Sequence, residues 1–484
     1  MKRHISLLAL FAASVAGAET YYHDSTGVSN IWGDENLFNS ASVYSLSKDE
    51  IIRPESAPSV TTDLVFYKGN NGSVARINTY SVGGYVNLVK SITATTAMEI
   101  WDRSTITTVG DWDMSASMDN VGSGMRFAID MLSATERGIE IINVGGDMNL
   151  STSKYFTTKF SRRKDSANHY LITVKGALSL DYTGGSDGTG YHQFDLKDAQ
   201  STQNTGLKFE LGGLASSGRG VYVTSSKADE KVTSFTFVDN DGVFKGGSFT
   251  GVFATESSVS ASVNFAMNGS GTQSIKIYKA ANAAECGLDN LTSKQDMTIT
   301  TLNVSNGVMN FDTEIEIETG VSVSGGRLNL TSSANLCDIE VSGGYLNLAA
   351  SADVSAVRFF AGMLELNSSG TINILNIDGG DIVFGDTARV QSFNVFADNV
   401  GVYFDAEDLA NNQLTILEFE ESEIIAEADT VFTALDSNGN ELGGKFEVVD
   451  NKLVYFTAAV PEPATIAGIL GALALAFALY RRRK

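Results

Sequence analysis

The C-terminal half of the chain contains Val321-Ser322-Val323-Ser324-Gly325-Gly326-Arg327-Leu328-Asn329-Leu330, followed 18 residues later by Ile339-Glu340-Val341-Ser342-Gly343-Gly344-Tyr345-Leu346-Asn347-Leu348. In both copies, apolar and polar residues alternate on either side of a Gly-Gly pair. This alternation is the period of a β-strand with one buried face. The glycines are suited to a corner with positive φ between two such strands.

The repeat continues in both directions, because Gly326, Gly344, Gly362 and Gly380 are spaced by 18 and Gly307 lies 19 residues before Gly326. Aligning the copies produces four apolar columns: Val321, Ile339, Val357, Leu375 and Phe393; Val323, Val341, Phe359, Ile377 and Val395; Leu328, Leu346, Leu364, Ile382 and Val400; and Leu330, Leu348, Leu366, Phe384 and Val402. A shift of one residue adds Leu302, Val304, Met309 and Phe311. Such strands bury their columns only by stacking on one another, which predicts a parallel β-solenoid.

The N-terminal half has the same pattern in a looser form, with Val-Gly turns at Gly84, Gly110, Gly146 and Gly176 that lie 26 to 36 residues apart. We therefore expect longer rungs there, with loops near 161–168 and 181–191. An antiparallel sandwich would not explain why a column stays apolar at a constant offset. The predicted fold class is all-β, a parallel β-helix with a single C-terminal transmembrane helix.

The expected organisation has six parts. They are a signal peptide (1–18), an N-terminal cap (19–59), an irregular solenoid (60–298), a regular solenoid with an 18-residue period (299–404), a C-terminal cap formed by an antiparallel meander (405–457) and a sorting tail (458–484).

The N-terminus has the order of a secretory signal. Lys2 and Arg3 precede the apolar run 5–15, and Ala16 and Ala18 form a small-x-small cleavage site. The apolar run is too short to span a membrane. The body of the protein is therefore predicted to be exported.

The C-terminus contains the motif Pro461, Glu462 and Pro463, an uncharged run at 464–480 and the basic cluster Arg481, Arg482, Arg483 and Lys484. The uncharged run is just long enough for a transmembrane helix. The terminal cations favour a cytoplasmic C-terminus, with the body on the other side of the membrane.

These three ordered elements, over about residues 459–484, resemble the PEP-CTERM sorting domain of Gram-negative envelope proteins. The resemblance implies that an exosortase-like enzyme recognises Pro461, Glu462 and Pro463 and cuts near or within them. It also implies an association with exopolysaccharide. The implied location is the outer envelope or the extracellular space, with transient or permanent anchoring in the inner membrane by residues 464–480.

The formal net charge of -23 argues against a nucleic-acid partner, because phosphate binding needs a basic surface. Removal of both ends would take away six cations and shift this charge to -29. The histidines of the body, His23, His169 and His192, have no second His or Cys at zinc-ligand spacing and are expected at the surface. Cys286 and Cys337 either form one disulfide or remain buried thiols.

No metal or other cofactor is predicted, although two segments resemble parts of calcium loops. These are Asp239-Asn240-Asp241-Gly242 and Asp436-Ser437-Asn438-Gly439-Asn440, and both also fit ordinary hairpin turns. The nearest approach to a catalytic carboxylate cluster is Asp378, Asp381 and Asp386, for which a solvated outward position is the simpler interpretation.

The sequence thus favours an exported, non-enzymatic structural or adhesin-like protein of the cell envelope or extracellular matrix. One alternative is a polysaccharide-processing lyase or hydrolase, which should gather carboxylates and an Arg or Lys in a cleft where long loops meet. The other is a glycan-binding module, which should align outward aromatic residues such as Tyr85 and Tyr345.

Overall fold

A computed structural model describes the backbone of short strands between residues 21 and 131, and then residues 141–457. Within the second range the segments 153–155, 163–169, 185–190, 197–206, 219, 226–231, 256–259, 290, 386–387, 405–412 and 425–426 lie outside the described residues. The signal peptide, the sorting motif and the predicted transmembrane helix at 464–480 also lie outside them. Among the described residues, no helix has the length and apolar character needed to cross a membrane.

The secondary structure consists almost entirely of β-strands. In chain order these are β1 Tyr21–His23, β2 Phe38–Asn39, β3 Ile51–Ile52, β4 Leu64–Val65, β5 Ala75–Ile77, β6 Val86–Ser91, β7 Ala97–Ile100, β8 Thr105–Thr108, β9 Trp112–Ser117, β10 Met125–Met131, β11 Ile141–Val144, β12 Met148–Thr152, β13 Phe156–Arg162, β14 Tyr170–Tyr182, β15 His192–Asp195, β16 Leu207–Gly218, β17 Val221–Thr224, β18 Thr233–Phe237, β19 Gly247–Thr255, β20 Ser262–Met267, β21 Thr272–Tyr278, β22 Gln295–Asp296, β23 Thr298–Val304, β24 Val308–Thr313, β25 Ile317–Val323, β26 Arg327–Ser332, β27 Leu336–Val341, β28 Tyr345–Ala350, β29 Val354–Phe359, β30 Met363–Leu366, β31 Thr371–Ile377, β32 Asp381–Phe384, β33 Arg389–Val395, β34 Val400–Phe404, β35 Gln413–Ile424, β36 Phe432–Asp436, β37 Gly444–Val449 and β38 Lys452–Thr457. A 3₁₀ helix covers Ala280–Cys286, and one turn of α-helix, α1, covers Ala428–Val431.

The chain divides into two compact units. The first comprises Met1–Leu211, Ala215–Lys227 and Gly287–Asp289, and the second comprises Gly212–Leu214, Ala228–Cys286 and Asn290–Lys484.

In the first unit, parallel strands stack with long intervals between partners. Ile141 pairs with Thr105 on one side and Leu171 on the other, and Met148 pairs with Trp112 and Leu178. The Gly176 N–H donates to the Gly146 carbonyl at 2.8 Å, so these two positions stack as predicted, although Gly176 lies within the continuous strand β14 and not at a turn. The looser N-terminal pattern therefore belongs to a parallel β ladder, as expected.

The second unit has a two-sheet, solenoid-like fold in which successive strands alternate between the sheets. Sheet 1 contains β18, β20, β23, β25, β27, β29, β31, β33 and β35, and each neighbouring pair is parallel. Sheet 2 contains β19, β21, β24, β26, β28, β30, β32, β34 and β36, also parallel throughout. The prediction of a parallel all-β repeat fold is confirmed for this unit.

Strand register confirms the predicted columns over most of the regular repeat. Val321 pairs with Ile339, Leu328 pairs with Leu346, and the column members described in this region are almost all buried. The one-residue shift of the earlier rung is also confirmed, since Leu302 pairs with Val321 and Met309 with Leu328.

The last predicted column positions were wrong. Ile382 pairs with Val402, whereas the alignment had placed Val400 beside it. In register, residues 396–400 lie against the three-residue corner 378–380, so this corner is two residues longer, and it has no Gly-Gly pair. A shift of two residues keeps every side chain on the same face of the strand, so the apolar pattern alone could not reveal it.

The two corners of each rung use different chemistry. At the first, Gly307, Gly326, Gly344, Gly362 and Gly380 all have φ between +59° and +98°, as predicted. At the second, which the sequence did not reveal, buried hydroxyls at Thr313 and Ser332 bond to backbone groups two residues ahead. Ser368 repeats this corner, since its hydroxyl lies 3.3 Å from the Gly370 carbonyl two residues ahead, as well as 2.7 Å from the Ala350 carbonyl of the preceding rung. The hydroxyls satisfy polar backbone that would otherwise be buried without partners.

The parallel ladder continues past residue 404, where the expected cap was to begin. β35 pairs with β33 and β36 pairs with β34, so one more rung is added before the chain turns back. The antiparallel part is confined to β37 and β38, with β38 also lying against β35. The backbone N–H of Phe446 on β37 donates to the Asp429 carboxylate at 3.2 Å. Because this N–H is occupied, it is not available to pair β37 with a strand of another chain.

Candidate functional site

The outward face of sheet 2 carries a ladder of polar side chains at successive rungs. Ser274, Asn310, Asn329, Asn347 and Glu365 are register partners. Asn329 donates to Asn310 at 2.7 Å, and Asn310 donates to Ser274 at 3.1 Å. The part of this ladder from Ser274 to Asn329 therefore bonds along its own axis.

Tyr345 stands in the neighbouring outward column. The Arg327 guanidinium lies 4.0 Å from the centre of the Tyr345 ring, and the Tyr345 hydroxyl donates a hydrogen bond to Glu365. Burial, followed by the bond to Glu365, raises the pKa of Tyr345 to about 12. One face of this ring is thus already covered, which weakens the prediction that Tyr345 offers a stacking platform for sugars. Tyr85 lies outside the described residues.

A cleft of about 1010 Å³ opens beside the last rungs and is lined by residues of β30, β32, β33, β34 and β35 and of the adjoining corners. Its apolar lining is formed by Val383, Phe384, Val402, Phe404, Leu414 and Ile416, and its polar lining includes Glu365, Asn367, Ser369, Arg389, Tyr403, Thr415, Glu418 and Ser437. It is large enough for a small-molecule or oligomeric ligand.

The repeat changes at this cleft. Val383 follows Glu365 in the column that earlier rungs fill with asparagine. Phe384 is partly exposed, although Leu330, Leu348 and Leu366 in the same column are buried. At the cleft, the polar ladder therefore stops and partly exposed apolar side chains line the surface.

Among the described residues at the cleft, the carboxylates have charged or hydrogen-bonding partners. Glu418 forms an ion pair with Lys452, whose hydrogen bond holds the pKa of the Glu418 carboxyl below its ordinary value. Glu365 accepts a hydrogen bond from the Asn367 amide at 2.7 Å and another from Tyr345. Arg389 lies beside Glu418 on the neighbouring strand of sheet 1. With Lys452 included, the described charged groups are two carboxylates, Glu365 and Glu418, and two cations.

The carboxylates considered from the sequence do not gather in this cleft. Asp378 is exposed at the corner before Gly379, and Asp381 pairs in register with Gly401 on the next strand. Neither lines the cleft, and Asp386 lies outside the described residues.

The carboxylates of both segments that resemble calcium loops already accept hydrogen bonds from the protein. Asp436 accepts bonds from the backbone of Asn438 and Asn440 within its own segment, both at 2.8 Å, whereas Asp239 accepts two from Ser270, 31 residues away. In the part of the chain that the structure describes, no group of three or more His, Cys, Asp or Glu side chains is placed to hold a metal ion.

The two cysteines are not joined in a disulfide. Cys286 is buried and Cys337 is partly buried, and burial raises the pKa of the Cys337 thiol to about 11. Such a thiol is mostly protonated at neutral pH and is a poor nucleophile.

His192, which was expected at the surface, is fully buried in the first unit. Its Nε2 lies 2.9 Å from the Thr158 hydroxyl. Burial lowers the pKa of His192 from 6.5 to about 4. The sequence offered no signal for this position, because a single histidine in a strand is equally compatible with either face.

This histidine predicts a pH dependence of stability. Because the folded pKa of His192 is the lower one, the unfolded state binds the proton more readily and stability falls as the pH drops from 6.5 toward 4. Between pH 7 and pH 5 the wild type should lose about 2 kcal/mol of unfolding free energy more than His192→Gln loses. Urea unfolding of both proteins at the two pH values tests this, and parallel losses would contradict it.

No protein-family model, curated protein sequence or solved structure matches this chain. Any function proposed for the cleft therefore rests on the residues that line it.

Proposed function

We propose that this protein is an exported structural or adhesin-like component of the cell envelope or extracellular matrix, without enzymatic activity and associated with exopolysaccharide. The observation that carries this proposal is the parallel ladder of the second unit, on whose outward face Asn329 donates to Asn310 and Asn310 donates to Ser274 along the axis. A rigid body with a repetitive, internally bonded surface suits a scaffold.

In this proposal, the C-terminal tail directs the protein from the membrane to the outside of the cell. An exosortase-like enzyme reads Pro461, Glu462 and Pro463 and releases the body from the membrane helix at 464–480, which Arg481 to Lys484 orient. Signal peptidase acts after Ala18. The mature protein then lies outside the cell.

The second candidate is a polysaccharide-processing enzyme, because the cleft brings Glu365 and Glu418 together with Arg389. A glycosidase of the usual kind pairs a carboxylate with a carboxylic acid of raised pKa. Lys452 lowers the pKa of Glu418, so Glu418 is poorly suited to the acid role. We therefore favour the scaffold.

The test is the intact mass and cell fractionation of the native protein, compared with a variant in which Pro461, Glu462 and Pro463 are alanine. We expect the wild type to end near Glu462 and reach the surface or medium, while the variant keeps its tail and stays in the membrane fraction. Changing Pro54 and Glu55 to alanine is the matched control, since it removes the same dipeptide outside the tail. Equal masses ending at Lys484 in all three proteins would refute the sorting route.

A further inference from the structure

The cleft in the second unit combines three features that together restrict its ligand. Its lining is part apolar and part polar, the described part of that lining carries two carboxylates and one arginine, and the cleft stands where the polar ladder is interrupted. The interruption is specific, because Val383 replaces the asparagine present at Asn310, Asn329 and Asn347.

We propose that this cleft is a binding site for a neutral oligosaccharide segment. A pyranose ring presents C–H groups on its faces and hydroxyls around its edge, so it needs apolar contact and many hydrogen-bonding groups together. Val383 and Phe384 supply the apolar contact. Asn367, Arg389, Thr415 and Ser437 supply donors and acceptors.

Charge selects a neutral saccharide over an acidic one. Within the described lining, the Arg389 guanidinium is opposed by the carboxylates of Glu365 and Glu418, and Lys452 is already paired with Glu418. A sugar carboxylate entering the cleft would meet these two carboxylates in a protein of formal charge -23. Hydroxyl groups carry no such penalty.

This inference rests on the proposed association with polysaccharide and adds a location and a ligand class to it. Val383→Asn tests the location, because it restores the side chain that earlier rungs carry at the same outward position and should leave the strand intact. The matched control is Asn310→Val, which makes the reverse change in the same column, in a rung whose bonded neighbours Ser274 and Asn329 lie outside the cleft lining.

The measurement is calorimetric titration of the native exported protein with cellohexaose, with xylohexaose and with tetragalacturonate. We expect saturable binding of at least one neutral hexasaccharide, weakened at least tenfold by Val383→Asn and unchanged by Asn310→Val. Arg389→Gln, at an exposed position, should also weaken binding. Thermal unfolding of each variant establishes that it is folded.

The proposal fails if neither neutral hexasaccharide binds, if tetragalacturonate binds more tightly, or if Val383→Asn and Asn310→Val behave alike. The sorting experiment is independent of these outcomes, since Val383 is remote in sequence from the tail. A Val383→Asn protein that is processed normally but binds no saccharide would support both proposals. Normal processing without any wild-type saccharide binding would overturn this inference alone.

Discussion

Replacing Gly344 by alanine should destabilise the second unit by about 2–5 kcal/mol, because two separate costs coincide at this corner. Gly344 has φ +72°, where an L-residue is strained. A Cβ atom built there would also lie 2.6 Å from the Gly325 carbonyl carbon and from the Gly326 oxygen. Both contacts are with backbone of the preceding rung, so the stack itself would have to shift.

Two other glycines separate these costs. Gly242 has φ +77° but nothing within 4 Å of its added Cβ, so Gly242→Ala should cost about 1–2 kcal/mol from strain alone. Gly320 lacks a positive φ and its nearest neighbour is 3.8 Å away, so Gly320→Ala should change stability by only about 0.5 kcal/mol. Chemical denaturation of the three variants should rank them in that order. Equal losses for Gly344→Ala and Gly242→Ala would show that close stacking contributes nothing.

Phe265→Ala should be equally damaging, with a loss of about 3–5 kcal/mol. Phe265 is fully buried on β20 of sheet 1. Its ring lies 5.5 Å from Phe235 on the neighbouring strand, and 6.0 Å and 5.3 Å from Phe253 and Phe311 on sheet 2. Truncation would therefore leave a cavity between the two sheets and remove three aromatic contacts.

The same chemical change at the surface provides the control. Phe360 is 43% exposed at a corner, so Phe360→Ala should shift stability by only about 0.5 kcal/mol. Scanning calorimetry of the two variants should show a lowered transition for Phe265→Ala and a nearly unchanged one for Phe360→Ala. Similar transitions would mean that the core at Phe265 collapses to fill the space.

The regular part of the ladder could be predicted because each requirement repeats in the sequence. Gly326, Gly344 and Gly380 recur where positive φ is needed, and the apolar positions recur where side chains meet the core. The prediction became inaccurate at Val400, where the corner lengthens by two residues and the two-residue strand period conceals the change.

The cleft is harder to predict because it depends on departures from the repeat. Any active site was expected to combine carboxylates with an Arg or Lys, and Glu365, Arg389 and Glu418 do line one cleft. The carboxylates that stood out in the sequence were instead Asp378 and Asp381, because they are close together in the chain. Glu365 and Glu418 are 53 positions apart and meet only through the stacking of rungs.

The sequence by itself determined the strand period, the first corner and the parallel stacking of the repeat, because these follow from local alternation and from glycine spacing. Only the tertiary structure decided the burial of His192, the hydroxyl corner at Thr313 and Ser332, the extra rung of β35 and β36, and the lining of the cleft. Each of these depends on which residues of distant rungs lie side by side. That placement depends on the summed lengths of all intervening corners and loops, and a local sequence pattern does not contain this sum.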